Sequence, residues 1–189
     1  VKLNGKSYLF KLEKMDDRVD PTQALNNARR MQAKGAIAVF NPVFTCIAAL
    51  KKVNEEKGAE FILMGYTSTP KATEIANPLH ISTPPPFTVY NSAFLDMAWK
   101  QGWRKAAMLI TLGAYGDENR VDFKQYWEKL GGTITIDKPA NYYTETDFSS
   151  QLTAVLSTNP DVIFAGGPSA TTALVVEQAR NMGFKGGFV

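Results

Sequence analysis

Ala36–Cys46 reads AIAVFNPVFTC, a continuous apolar run that breaks at a short turn and passes into hydroxyl and thiol side chains opening a helix-like pattern. The unbroken run Ala36–Phe40 has strand length and marks a strand covered on both faces by helices, the habit of parallel sheets. The same junction recurs at Met64–Pro70 (MGYTSTP), Thr111–Asp117 (TLGAYGD) and Phe164–Ala170 (FAGGPSA). In open α/β sheets small molecules bind outside the carboxyl ends of the strands, where loop hydroxyls and the free N–H groups of helix N-termini converge. Four such junctions predict a parallel α/β fold built for binding before catalysis.

Upstream, Tyr8–Met15 alternates apolar and polar residues well enough to predict a strand, although Leu9 breaks the pattern. A helix follows, with Asp20 as N-cap, Pro21 in the first turn, a stripe of Ala24, Leu25, Ala28 and Met31, and Gly35 as its stop. Downstream come a helix over Thr45–Lys57, a strand over Glu60–Met64 and a looser segment, Thr67–Ile81, holding the lone His80. Ser82–Phe87 (STPPPF) then interrupts the rhythm, because three successive prolines cannot donate ladder hydrogen bonds. This segment reads as a crossover between two lobes, 1–84 and 85–189.

The second lobe reads cleanly. It opens with a helix over Val89–Gln101 carrying Ala93, Phe94, Met97 and Ala98 at helical spacing. Strands are predicted at Lys105–Leu112, Thr133–Ile136, Asp161–Ala165 and around Gly187–Val189, alternating with helices at Glu118–Leu130, Asp147–Thr158 and Thr171–Met182. Asp117 and Thr146 are the predicted N-caps. Both ends of the chain read as cut, the first lacking a preceding strand and the last stopping within one.

The composition of the 189 residues is ordinary for a globular protein, with 44% hydrophobic and 21% charged residues. A net charge of +3 spread without a basic block argues against a nucleic-acid or membrane-surface partner. Cys46 is the only cysteine, so no intrachain disulfide and no thiolate cluster is available. No apolar stretch reaches the ~18 residues of a membrane span, and the opening VKLNGKSYLF lacks the regions of a secretory signal.

Each junction has a structural and a binding reading. Thr45 and Cys46 stand where a hydroxyl and backbone N–H groups either cap a helix or hold a carboxylate. Tyr66, Thr67 and Ser68 lead a run of hydroxyls able to satisfy several oxygens of a polar ligand. Tyr115, between Gly113 and Gly116, is either an exposed ring for stacking or a plug in the strand–helix joint. Gly166, Gly167, Pro168 and Ser169 allow close approach of backbone to a ligand or a facing lobe, but fit neither dinucleotide nor P-loop fingerprints. Asp16, Asp17 and Asp20 read as turn residues and a cap rather than a metal site, His80 as a packing or surface residue, and Tyr126 and Trp127 as core.

The order AVFNPVFTCIAAL, ILMGYTSTP, a proline-rich crossover, MLITLGAYGDENR, TDFSSQLTAVLSTNPDVIFAGG and VEQARNMGFKGGF resembles the branched-chain amino-acid (Leu/Ile/Val) binding proteins of ABC transporters, of the type I periplasmic binding-protein fold. The resemblance covers essentially the whole chain and is most specific at AYGDE, DFSSQL through NPDVIFAGG, and QARNMGF. It implies two α/β lobes with an amino acid in the cleft between them. Thr45 falls on the family's carboxylate contact, Tyr66, Thr67 and Ser68 on its second group of contacts, and Tyr115 on its second-lobe aromatic. A further contact falls near Pro168 or Ser169, where the family often has an aromatic residue and this chain does not. The acidic residue that commonly meets the ligand ammonium would lie just after Val189. The family's first strand is expected between the strands at Tyr8–Met15 and Ala36–Phe40, so its loss would open a gap in the first sheet.

The function so implied is capture of an amino acid or analogue for uptake, in the periplasm or anchored outside the cell, with a permease as partner. It needs no cofactor, no metal and no catalytic residue. A ligand-sensing domain of the same fold, within a receptor or transcription regulator, is the first alternative. An α/β enzyme is the second, and it predicts a nucleophile-and-base or metal constellation that the strand ends do not display.

Overall fold

Helix α1 (Pro21–Ala33) starts as its sequence predicts, with the Asp20 carboxylate accepting a 2.7 Å hydrogen bond from the Gln23 amide and Pro21 in the first turn. Gly35 follows it at φ 85°, a left-handed position that favours glycine. The computed structural model describes residues 1–74, 76–167 and 170–189. They form two compact units, Val1–Thr67 with Ile75–Thr83, and Ser68–Glu74 with Pro84–Val189.

The first unit opens with a hairpin that the strand pattern missed. β1 (Lys2–Leu3) and β2 (Lys6–Ser7) pair antiparallel around Asn4 and Gly5, both at positive φ. Asn-Gly is the turn chemistry that two-residue hairpins require. The strand predicted over Tyr8–Met15 does not form. Its apolar side chains face solvent, Leu9 at 99%, Phe10 at 84% and Leu12 at 76% exposure. The reason is hydrogen bonding: a strand needs a neighbour, and this segment has none among the described strands.

β3 (Ala38–Asn41), β4 (Ile62–Gly65) and β5 (His80–Ser82) make a parallel sheet in that order, with one edge of β3 unpaired among the described residues. β5 escaped the sequence reading because three residues before a proline run show no period. Helix α2 (Phe44–Leu50) is shorter than the helix predicted to Lys57. α1 and α2 pack on the face carrying Val39 and Leu63, enclosing Ala24, Ala28, Cys46, Ile47 and Leu50. The other face, with Phe40, Ile62 and Ile81, is exposed. The expectation of a strand covered on both sides therefore fails for β3, which is buried on alternate residues only.

In the second unit that expectation holds. β6 (Lys105–Ile110) and β8 (Val162–Gly166) are central in a parallel sheet completed by β7 (Thr133–Asp137) and β9 (Gly187–Phe188), in the order β7-β6-β8-β9. Ala106 to Ile110 are all buried. On one face lie α4 (Phe87–Lys100) and α5 (Ala114–Lys129), contributing Leu95, Ala98, Phe123 and Trp127. On the other lie α6 (Ser149–Leu156) and α7 (Thr171–Asn181), with Leu152, Val155, Val175 and Ala179. A four-residue helix, α3 (Lys71–Glu74), belongs to the same unit, tied to α5 by a Lys71–Glu118 ion pair at 3.1 Å.

Three details differ from the sequence reading. α4 starts two residues early and buries Phe87, Asn91, Leu95 and Ala98, so Phe94 and Met97 of the predicted stripe point to solvent. Asp117 does not cap α5, whose N-cap is Gly113; it sits in the first turn and pairs with Arg120. Thr146 does not cap α6, whose start is instead held by Asp147 accepting from the Ser149 amide at 2.9 Å.

Candidate functional site

The strand order of the second unit decides where its crevice lies. From β6 the chain passes through α5 to β7 on one side, and from β8 through α7 to β9 on the other. Connections that leave adjacent strands in opposite directions open a crevice at their carboxyl ends. The residues there are Thr111–Tyr115 after β6 and the glycines after β8.

Tyr115 lies in the first turn of α5 rather than in an exposed glycine loop, because Gly113, at φ 94°, turns the chain and Ala114 already belongs to the helix. The ring is half-buried, with Phe87 at 6.0 Å in an edge-on T contact. Gly116 is the glycine the joint needs: a Cβ there would stand 1.7 Å from the Thr111 carbonyl oxygen.

After β8, Gly167 leaves no room for a side chain. A Cβ on it would lie 2.1 Å from the ring of Tyr142, which is fully buried, packs at 5.3 Å and a tilt of 43° on Phe148, and donates to the Leu109 carbonyl at 2.6 Å. Burial pushes that phenol well above its ordinary range. Gly167 thus lets the backbone approach the Tyr142 ring closely within the unit. Ser169, also predicted at this site, lies outside the described residues.

Ser68 belongs to this second unit, whereas Thr67 belongs to the first. The Ser68 carbonyl accepts from the Phe87 amide at 2.7 Å, and its hydroxyl is hydrogen-bonded to the Tyr90 hydroxyl. Tyr90 was not among the residues singled out by sequence. Its only signal there is its spacing, one helical turn beyond Phe87.

In the first unit, Asn41 ends β3 and organises the turn. Its side chain accepts from the Val43 amide at 2.8 Å and donates to Asp17 at 2.7 Å. Thr45 is exposed in the first turn of α2 and does not cap it; the N-cap is Val43, without a side-chain bond. Cys46 is fully buried, its thiol lying near Asp17. Beyond β4, Tyr66 is exposed with its ring 6.0 Å from Phe40, while Thr67 is buried. His80 packs against Gly65, and burial holds its imidazole below the usual range, in keeping with a packing role.

Burial pushes the Cys46 thiol from its ordinary 9.0 up to about 11, helped by nearby Asp17. The native protein is therefore expected to react with a thiol reagent such as Ellman's only as fast as it opens. Because the folded value is raised, the stabilisation is complete below pH 9.0 and fades as pH climbs through 9.0 to about 11. Denaturation midpoints of wild type and Cys46→Ala across that range should converge towards the alkaline end; parallel profiles would refute the shift.

A model of the periplasmic binding protein family matches residues 2–189, nearly the entire chain. The chain belongs to this family. No curated protein matches this periplasmic binding protein by sequence. Among solved structures it is similar to a periplasmic binding protein from Burkholderia mallei, at 15% identity and TM-score 0.80 over 93% of this chain and 48% of that one. A leucine binding protein from Thermotoga maritima aligns at 24% identity and TM-score 0.76, over 92% and 49%. A solute binding protein of an ABC transporter from R. palustris, in complex with benzoate, aligns at 18% identity and TM-score 0.80, also over 92% and 49%. The chain thus spans about half the length of these structures, which at such identities share its type I fold.

Among the described residues no group of three His, Cys, Asp or Glu side chains is placed to hold a metal, and no helix is long and apolar enough to cross a membrane. The strand ends offer hydroxyls, aromatic rings and backbone amides. Such groups can bind the oxygens and apolar faces of a small molecule.

Proposed function

We propose that this periplasmic binding protein chain is part of the substrate-binding component of an ABC transporter, taking an amino acid or related small carboxylate between two lobes for uptake. The observation that carries the reading is the gathering of hydroxyl and aromatic side chains at the carboxyl ends of parallel strands, in a chain of this family. Thr45, the amide of Cys46, Tyr66, Thr67 and Ser68 supply donors for the ligand's carboxylate, and Tyr115 covers its apolar part; Ser169 completes the second lobe's share. The partner is a membrane permease, and the place of work is the periplasm or the outer cell surface.

Two neighbours bear on the ligand. One is named a leucine binding protein and another holds benzoate, and the two ligands share a carboxylate attached to an apolar body. An aliphatic amino acid is the first choice. The benzoate complex favours an aromatic acid as the second, since a site for it needs no ammonium partner.

A thermal-shift panel of L-leucine, L-valine, L-phenylalanine and benzoate separates them, because a ligand that binds only the native state raises its melting temperature. The reading expects a rise with leucine or valine. A rise with benzoate alone would replace the amino acid by an aromatic acid, and no rise with any of these compounds would remove the proposed ligand class.

A further inference from the structure

Tyr90 stands in the first turn of α4, on the same helical face as Phe87 one turn before it. Between them these two residues hold two of the second unit's proposed ligand contacts, Ser68 and Tyr115. Phe87 donates its amide to the Ser68 carbonyl and lays its ring edge-on against Tyr115. Tyr90 is hydrogen-bonded through its hydroxyl to the Ser68 hydroxyl, and its ring packs at 5.9 Å on Phe94. Burial, and after it the neighbouring Tyr115 side chain, push the Tyr90 phenol far above its ordinary range, against the opposing effect of the Ser68 bond. Tyr90 is therefore a neutral hydroxyl at any physiological pH, able to donate one hydrogen bond and to accept others.

We propose that Tyr90 is a positioning residue of the binding site, its hydroxyl linking Ser68 to Tyr115 so that the three hydroxyls form one chain and hold both outer side chains in the orientation the ligand meets. This rests on the reading of Ser68 and Tyr115 as ligand contacts. The chemistry is directional. In a chain of three hydroxyls each inner bond uses one proton, so one end is left with a free O–H and the other with free lone pairs. The free O–H is a donor for a carboxylate oxygen, and each bond in such a chain strengthens the next. Without Tyr90, Ser68 is free to rotate about its χ1 bond and Tyr115 loses its polar anchor, so binding has to order both. Tyr90 touches no ligand in this account; it acts through the two residues that do.

Tyr90→Phe removes the hydroxyl and keeps the ring on Phe94, which makes it the variant to test. L-leucine affinity, measured by calorimetry, is expected to fall about five- to tenfold, while the melting temperature of the free protein changes little. Ser68→Ala is expected to lose a similar factor, and the double variant little more than either alone, because both break one chain. A merely structural Tyr90 would give losses that multiply, and an unchanged affinity in Tyr90→Phe would overturn the proposal. A second readout needs no ligand. With tyrosine labelled at Cζ, the Tyr90 carbon resonance is expected to move in Ser68→Ala and in Tyr115→Phe; a resonance indifferent to both would show that the hydroxyl chain does not exist. Wild-type protein that ignores L-leucine would count against the proposed function, and the labelled-tyrosine result would still decide the chain.

Discussion

Gly116→Ala is expected to destabilise the protein by about 3 kcal/mol, although alanine favours a helix over glycine by about 1 kcal/mol. The new Cβ would stand 1.7 Å from the Thr111 carbonyl oxygen and 2.7 Å from its carbon. Both are backbone atoms and cannot turn aside. Thr111 is itself pinned, its amide donating to the Gly166 carbonyl at 2.7 Å and its neighbour Leu112 donating to the Ala140 carbonyl at 3.0 Å. The strain therefore falls on α5, which must lift from the end of β6 and carry Tyr115 with it. Urea denaturation measures the loss, and calorimetry with whichever ligand the thermal panel identifies should show weakened binding. Gly113→Ala is the comparison, since no atom lies within 4 Å of its new Cβ and only the φ of 94° resists it. With ψ at 175° Gly113 sits in a region essentially reserved for glycine, so the cost should be about 1–3 kcal/mol. A loss under about 1 kcal/mol for Gly116→Ala would mean that the crowding against Thr111 has no energetic weight.

Tyr115→Ala is expected to weaken ligand binding roughly 30- to 100-fold, the range for removing an aromatic anchor from a binding site. Tyr115→Phe keeps the edge contact with Phe87 and should lose only the contribution of a hydroxyl, about fivefold. The melting temperature of each free variant separates lost packing from lost binding. If Tyr115→Ala binds as tightly as wild type, Tyr115 is a packing residue of the α5 joint.

Much of the second unit was legible in the sequence. β6 and β8 are unbroken apolar runs because helices cover both faces of their sheet, and the helices between them follow at the predicted places. The first unit was harder to read. Tyr8–Met15 has the alternation of a strand, but alternation describes only which side each residue faces. Whether a strand forms depends on a neighbour to accept its hydrogen bonds, and in this structure the segment has no such neighbour among the described strands.

The candidate site divides in the same way. Hydroxyl-rich turns at strand ends were visible because turn chemistry is local, set by residues next to one another in the chain. The reversal of strand order at β6 and β8, which locates the crevice of the second unit, was not. Nor was the pairing of Ser68 with Tyr90, which brings together residues separated by 22 positions. Even Tyr115 changed its setting, from a loop to the first turn of a helix, because the fit of Gly116 against Thr111 lets α5 start early.

By itself the sequence determined the succession of strands and helices in the second unit, the parallel α/β class and the small hydroxyl-bearing turns, since apolar period, caps and turn residues act over a few positions. The tertiary structure alone decided which strands pair, which sheet face stays open and which hydroxyls meet, because those outcomes depend on hydrogen bonds and packing between segments far apart in the chain.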